Sequence, residues 1–376
     1  MQDDLKPIED NSVIPPEHAD TIANVPRIAR PAPRTTAQYL REIAKTGNPL
    51  AWFLMRLWEP SFEFDPNYVP KGGDAGPLLQ EPIKYGLKHY RIGELHLDTG
   101  ECVTAWYKAA KTGYPTLVYC HGNAGSLDFR ASILKEITDR GFGIIIAAYP
   151  GFKGHRSHPK VDPSEAGCNA TGHAMVRYLV NTMEVPMDNI VLFGESLGGA
   201  VALRTAYNIE QGNPDRGHEP QKAAAAVCFN TFTSLVKRAR EQFPMLPADI
   251  LMENRFESDK IISKIEAPIL LMHGKADEYT SYHHSEELHK ASGGKATLEL
   301  LDGVTHIATY PGTEEKDPEQ IRHAIDCMQR YLSGLHLCLP PPVRDEIPHK
   351  DAPQVQWEKI VAKPEPKPNT PDQLGR

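Results

Sequence analysis

The chain has 376 residues, 40% of them apolar, enough for one large domain with a substantial core and some decoration. Its 41 basic and 49 acidic side chains leave a formal net charge of −8, which argues against a protein that lives on nucleic acid phosphates. No apolar run reaches the roughly 18 residues of a bilayer span, and Met1-Gln2-Asp3-Asp4-Leu5-Lys6 lacks the pattern of a secretory signal, so a cytoplasmic protein is expected. The six cysteines (Cys102, Cys120, Cys168, Cys228, Cys327, Cys338) are scattered with no C-x-x-C spacing. Reduced, mostly buried thiols suit that pattern better than a disulfide frame or a zinc site.

Residues 1–35 are polar and carry six prolines, so they are expected to be a disordered tail; residues 339–376, with nine more prolines from Pro340 onward, are read the same way. Between them, residues 36–84 form a helical extension and residues 85–338 the main domain. In the extension, Thr36–Ala44 looks helical, Gly47-Asn48-Pro49 breaks it, and the aromatic-rich run Leu50–Trp58 follows. That run suits a helix packed on the main domain better than an interfacial segment touching a membrane or lipid, and both readings stay open. The oligomeric state is not legible.

In the main domain, Tyr90–Leu97 and Val103–Lys108 flank Asp98-Thr99-Gly100, a hairpin signal. Thr116–Cys120 reads as a buried strand, Ser126–Arg140 as a helix, Gly143–Tyr149 as a second buried strand and Ser164–Met183 as a helix. Further strands are expected at Asn189–Phe193, Ala223–Phe229, Pro268–Met272 and Thr297–Leu301, with a small-residue helix at Gly199–Ala206 and a closing helix at Gln320–Leu332. Short apolar strands alternating with helices call for an α/β fold, a mostly parallel sheet with helices on both faces. The interval at about 230–262 breaks the rhythm. It mixes Phe232, Phe243, Met245, Leu251 and Phe256 with prolines and charges, and is read as a small lid insertion over the sheet edge where ligands bind.

Chemistry is expected at Gly194-Glu195-Ser196-Leu197-Gly198. In G-x-S-x-G the serine sits at the tip of a sharp strand-to-helix turn, with its hydroxyl projecting above the sheet. The glycines are needed because a Cβ at either place would collide with the turn or the packed helix. The amide of Leu197, at a helix N-terminus, points where a carbonyl oxygen would become an oxyanion. A serine needs a base, and the base an orienting carboxylate, each from a loop at the same sheet edge. The loop after Ile269–Met272 offers Asp277, and the loop after Thr297–Leu301 offers His306. Among sixteen histidines, His283, His284 and His289 suit an exposed polar helix, and His273 a structural donor. Glu278 and Asp302 are the weaker rivals of Asp277. The second oxyanion donor is expected from His121-Gly122-Asn123-Ala124-Gly125, at the amide of Asn123. Phe152, Phe232 and Ile307 are candidates to line the pocket for a small-molecule acyl substrate.

Together, His121–Gly125, Tyr149-Pro150-Gly151-Phe152, Gly194–Gly199, Asn230-Thr231-Phe232-Thr233-Ser234, His273–Asp277 and Gly303–His306 resemble the α/β-hydrolase superfamily, in its ABHD-type and serine-aminopeptidase-like branch. The likeness covers about Tyr85–Leu335, and the order Ser196, Asp277, His306 is that of the superfamily. It implies an eight-stranded sheet, a serine hydrolase acting on esters, thioesters or amides, and no metal or organic cofactor. Relatives usually carry an arginine where Pro150 precedes Gly151, and many an acidic residue at the place of Asn169 or Thr171. Cleavage of a carboxylic ester or thioester is the reading preferred here; a peptidase or amidase, or a non-catalytic binding protein on the same scaffold, are the alternatives.

Overall fold

The structure, a computed structural model, describes residues 82–123, 127–152, 162–212, 219–242, 244, 247–306 and 318–341. The expected N-terminal tail, residues 342–376 of the C-terminal one, the Leu50–Trp58 run and Ile307 lie outside these residues.

Eight strands form one sheet: β1 (Arg91–His96), β2 (Cys102–Lys108), β3 (Thr116–Cys120), β4 (Gly143–Ala147), β5 (Ile190–Glu195), β6 (Ala225–Phe229), β7 (Ile269–Gly274) and β8 (Thr297–Leu301). Their order is β1-β2-β4-β3-β5-β6-β7-β8, antiparallel at β1/β2 and β2/β4 and parallel from β4 to β8. Strands β3 to β7 are buried along their whole length, and their sequences are accordingly near-continuous apolar runs. The outermost strand β1 buries only Leu95 fully, and β8 only Leu301, so each shows one wet side.

Successive residues of the central strands supply opposite faces. Val118 and Cys120 of β3 belong to the core on the face of α2 (Glu165–Asn181), α3 (Leu197–Gln211) and α6 (His283–Ala291), whereas Leu117 and Tyr119 belong to the core on the face of α1 (Ala131–Asp139) and α7 (Pro318–Gly334). Helix α2 starts at Ser164, whose hydroxyl accepts from the Gly167 amide.

Two shorter helices, α4 (Leu235–Gln242) and α5 (Ala248–Leu251), lie in the interval read as an insertion. Both ends of that interval belong to the core: Phe232, Leu235, Val236, Met252, Phe256, Ile261 and Ile262 are buried on the α2/α3 face. Its two arms are zipped together, Leu235 N donating to Arg255 O at 2.8 Å and Ser258 N to Thr233 O at 2.9 Å. Glu165 at the start of α2 accepts the amides of Arg255 and Phe256 at 2.9 and 3.0 Å.

From β3 the chain moves to one side for β4 and then crosses back to the other side for β5. A parallel sheet has its crevice where strand order reverses in this way, outside the carboxyl ends of the strands. The loops after β3 and β5 therefore face each other, and those after β6, β7 and β8 follow along the same edge.

Candidate functional site

Strand β5 ends at Glu195, and Ser196 turns the chain into α3 with φ 51° and ψ −118°, a left-handed conformation that side chains other than glycine adopt at a cost of roughly 1–3 kcal/mol. The surroundings enforce it. Ser196 N donates to Phe229 O at 2.8 Å, and Ser196 O accepts from Gly199 N at 3.0 Å and from the Thr231 hydroxyl at 2.8 Å. A Cβ on Gly194 would overlap the Gly198 carbonyl, and one on Gly198 would overlap the carbonyl of Cys120 at the end of β3. Leu197 is the first residue of α3, so its amide has no acceptor inside the helix.

The three residues picked from separate loops meet at this turn. His306 Nδ1 lies 2.7 Å from Asp277 Oδ2, and His306 Nε2 lies 3.1 Å from the Ser196 hydroxyl oxygen. An ionised carboxylate only accepts, so Nδ1 carries the ring proton and Nε2 presents its lone pair to the serine. The imidazole is nearly enclosed, with 9% of its side chain exposed, and the Asp277 carboxylate is fully buried.

Four donors surround Asp277. Oδ1 accepts from the amides of Tyr279 and Thr280 at 2.9 and 2.7 Å; Oδ2 accepts from His306 and, at 3.2 Å, from His273 Nε2. Burial alone would raise this carboxyl. Hydrogen bonds from His273 and His306, the charge His306 can carry and the Thr280 amide outweigh burial and hold the group well below the usual carboxylate range. His273 is oriented in turn by the Thr280 carbonyl at 2.8 Å and the Ser285 hydroxyl at 2.7 Å. It is the structural donor that its position before Gly274 suggested.

Two residues after β6, Asn230 and Thr231, bind all three loops. Asn230 Oδ1 accepts from Gly274 N at 2.8 Å and its Nδ2 donates to Thr305 O at 3.1 Å, while Thr231 holds the Ser196 carbonyl. Asn230 has φ 52°, a conformation asparagine tolerates better than most residues. Both sit in a motif of the resemblance, but that motif carries no role for them.

On the other side of the serine, Glu195 is buried with Arg130. Arg130 Nε donates to Glu195 Oε1 at 2.9 Å, Gly122 N to the same oxygen at 3.0 Å, and the Tyr119 hydroxyl to Oε2 at 2.7 Å. Burial raises the Glu195 carboxyl, but the Arg130 charge and these donors hold it below its ordinary value. Nothing local in the sequence marks this group, because its partners are 65 and 76 positions apart.

The candidate oxyanion residue Asn123 is half-buried at the end of β3's loop. Phe152 is buried and packs edge-on against His121 and Tyr149, with ring centroids 5.6 and 5.4 Å away. Phe232 is buried in the core on the α2/α3 face. Cys120, beside the turn, is no rival nucleophile: burial pushes its thiol up to about 12, against a hydrogen bond from Tyr149. Among the described residues no cluster of histidine, cysteine and carboxylate side chains could hold a metal ion.

The family model for the alpha/beta hydrolase fold matches residues 115–250, from the start of β3 through the serine turn to α5. The chain has the alpha/beta hydrolase fold. An uncharacterized Mycobacterium tuberculosis protein is 28% identical to this chain over 270 residues, 71% of this chain and 85% of that one. The lysophosphatidylserine lipase ABHD12 of Danio rerio is 25% identical over 235 residues, 58% of each chain. The crystal structure of the carboxylesterase Cest-2923 from Lactobacillus plantarum shares the fold, with a TM-score of 0.52 at 16% identity over 67% of this chain and all of that one. The fold supports a hydrolase. No helix among the described residues is long and apolar enough to cross a membrane.

Proposed function

We propose that the chain is a serine hydrolase that cleaves a carboxylic ester or thioester of a small acyl substrate through an acyl-enzyme. The observation that carries the reading is the single line of hydrogen bonds from Asp277 through His306 to the Ser196 hydroxyl. In the proposed reaction Ser196 Oγ attacks the carbonyl carbon while His306 Nε2 takes its proton. Asp277 stabilises the imidazolium that forms. The proton then passes to the leaving group, water deprotonated by His306 attacks the acyl-serine, and the acid departs. The amides of Leu197 and Asn123 are the proposed donors to the oxyanion, each worth about 3 kcal/mol of transition-state stabilisation. The excursion bearing α4 and α5 is the proposed cover of the pocket.

The test is covalent labelling with a fluorophosphonate probe. The native protein should label and Ser196→Ala should not; equal labelling of the two removes Ser196 as nucleophile. Turnover then separates the substrate classes. The lipase from Danio rerio puts lysophospholipids in the panel, beside 4-nitrophenyl esters of increasing chain length, acyl thioesters and aminoacyl anilides. Hydrolysis of the anilides alone would replace the ester reading with an amidase.

A further inference from the structure

A buried ion pair is expensive to desolvate, and an apolar pair of similar volume would often serve stability as well. Arg130 and Glu195 are both almost wholly enclosed, with 1% and 4% of their side chains exposed. Besides each other, both side chains hold one turn of backbone outside the relay. That is the peptide unit joining Gly122 to Asn123.

Glu195 Oε1 accepts the Gly122 amide at 3.0 Å, which fixes the near side of Gly122. The carbonyl of Gly122 accepts from Arg130 Nη2 at 3.3 Å and from the His121 ring at Nδ1, 2.8 Å away. His121 is itself stacked on Tyr149 at 4.0 Å between ring centroids, and the Tyr149 hydroxyl donates to the His121 carbonyl at 3.1 Å. In a planar trans peptide the C=O of one residue and the N–H of the next point in opposite directions. Drawing the Gly122 carbonyl towards Arg130 and His121 therefore turns the Asn123 N–H the other way. A Cβ on Gly122 would press on Glu195 Oε1 at 3.2 Å, so this close grip depends on glycine.

We propose that Arg130, through its double hold on Glu195 and the Gly122 carbonyl, is the positioning residue that aims the Asn123 amide at the oxyanion. The inference rests on the serine hydrolase reading and on Asn123 as oxyanion donor. Glu195 ties that setting to the nucleophile, because it is the residue before Ser196; the two halves of the oxyanion hole thus share one anchor.

The test uses the full chain, a 4-nitrophenyl ester and its thiono counterpart, in which C=S replaces C=O. Sulfur is larger and a poorer hydrogen-bond acceptor, so an aimed amide favours the oxoester and a misaimed one does not. Arg130→Lys keeps the charge but loses the planar fork whose Nε and Nη2 reach Glu195 and Gly122 from separate atoms. It should lower kcat on the oxoester by about 100-fold, the scale of losing one oxyanion donor. KM should stay within a few-fold, the oxoester-to-thionoester rate ratio should fall at least tenfold, and the pH midpoint of kcat/KM should not move, because the His306 relay is intact. Glu195→Gln, which keeps the shape and one acceptor oxygen, should show a smaller change of the same kind. It also serves if Arg130→Lys fails to give the native circular dichroism spectrum. Equal losses on both substrates, a displaced pH midpoint, or an unchanged kcat in a folded variant overturns the proposal. If the native protein neither labels at Ser196 nor turns over the oxoester, the hydrolase reading itself has failed, and the positioning role falls with it.

Discussion

Replacing Asp277 by asparagine changes one atom and should cost nearly all activity, for a reason the bond count makes explicit. Each carboxylate oxygen takes two donors: the Tyr279 and Thr280 amides on Oδ1, the His306 and His273 rings on Oδ2. Asparagine has a single oxygen, so its amino group must face one pair. Turned towards the backbone amides it would set its amino group against two N–H donors, at about 1–3 kcal/mol each, and neither can change its protonation. Turned towards the rings it meets His306, which can shift its proton from Nδ1 to Nε2. The second placement is favoured, and its consequence is an imidazole whose Nε2 already bears hydrogen where the Ser196 proton must go. His273 gives no relief, because the Thr280 carbonyl it also faces can only accept and keeps the proton on its Nε2. A wrong tautomer of this kind lowers kcat by about 10⁴-fold in a Ser-His-Asp relay, or about 5.5 kcal/mol of barrier. The assay is kcat on a 4-nitrophenyl ester at pH 7.5, with circular dichroism to confirm folding. An Asp277→Asn protein keeping more than a tenth of native kcat would refute the assignment of Asp277 as the orienting carboxylate.

Asn230→Ala should lose about 2–4 kcal/mol in urea unfolding, from two hydrogen bonds and a φ of 52° that alanine resists, while Asn230→Gly recovers about 1 kcal/mol of that strain and none of the bonds. If the two variants were equally stable, backbone strain would have no part in the loss. Gly198→Ala should abolish the native fold, since its Cβ would overlap the Cys120 carbonyl, whereas Gly293→Ala, at φ 71° with open space around it, should lose only about 1–2 kcal/mol; thermal melting compares them. Stability should fall in two stages on acidification, read as urea midpoints at pH 8, 5.5 and 3.5. Burial lowers the His284 pKa in the fold, against the pull of Glu241, so its contribution is complete above the unfolded value of about 6.5 and is lost as pH drops below it. Asp277 and Glu195 are also lowered in the fold, so theirs is complete above about 4 and lost below. A midpoint unchanged between pH 8 and 5.5 would contradict the buried neutral state of His284.

What the sequence reveals depends on how local the cause is. Thr116–Cys120 and Ile144–Ile146 announce buried parallel strands because both faces are covered, and the serine turn announces itself through two glycines four residues apart. Boundaries are softer: α3 runs on to Gln211, β7 to Gly274, and the first turn of the helix expected from Ser126 is a 3-10 turn over Leu127–Arg130. Helix α4 is hidden because Leu235-Val236-Lys237-Arg238-Ala239-Arg240-Glu241-Gln242 offers only three buried side chains among charges. Arg130, Glu195 and Asn230 are illegible for a different reason. Each works through partners brought near only by the sheet, and an arginine in a first helical turn or an asparagine after a strand is ordinary until that sheet exists.

The cross-bonded neck of the α4–α5 excursion has a consequence for how this scaffold can change. Because Thr233 and Leu235 already grip Arg255 and Ser258, and Glu165 braces the same strand of chain, the ends of the excursion stay together whatever joins α4 to α5. Extra residues spliced into that joint add little closure entropy, about 0.6 kcal/mol for each doubling of loop length. The sheet edge that carries the serine would not register the change, leaving this joint free to diversify while the reactive centre stays as it is.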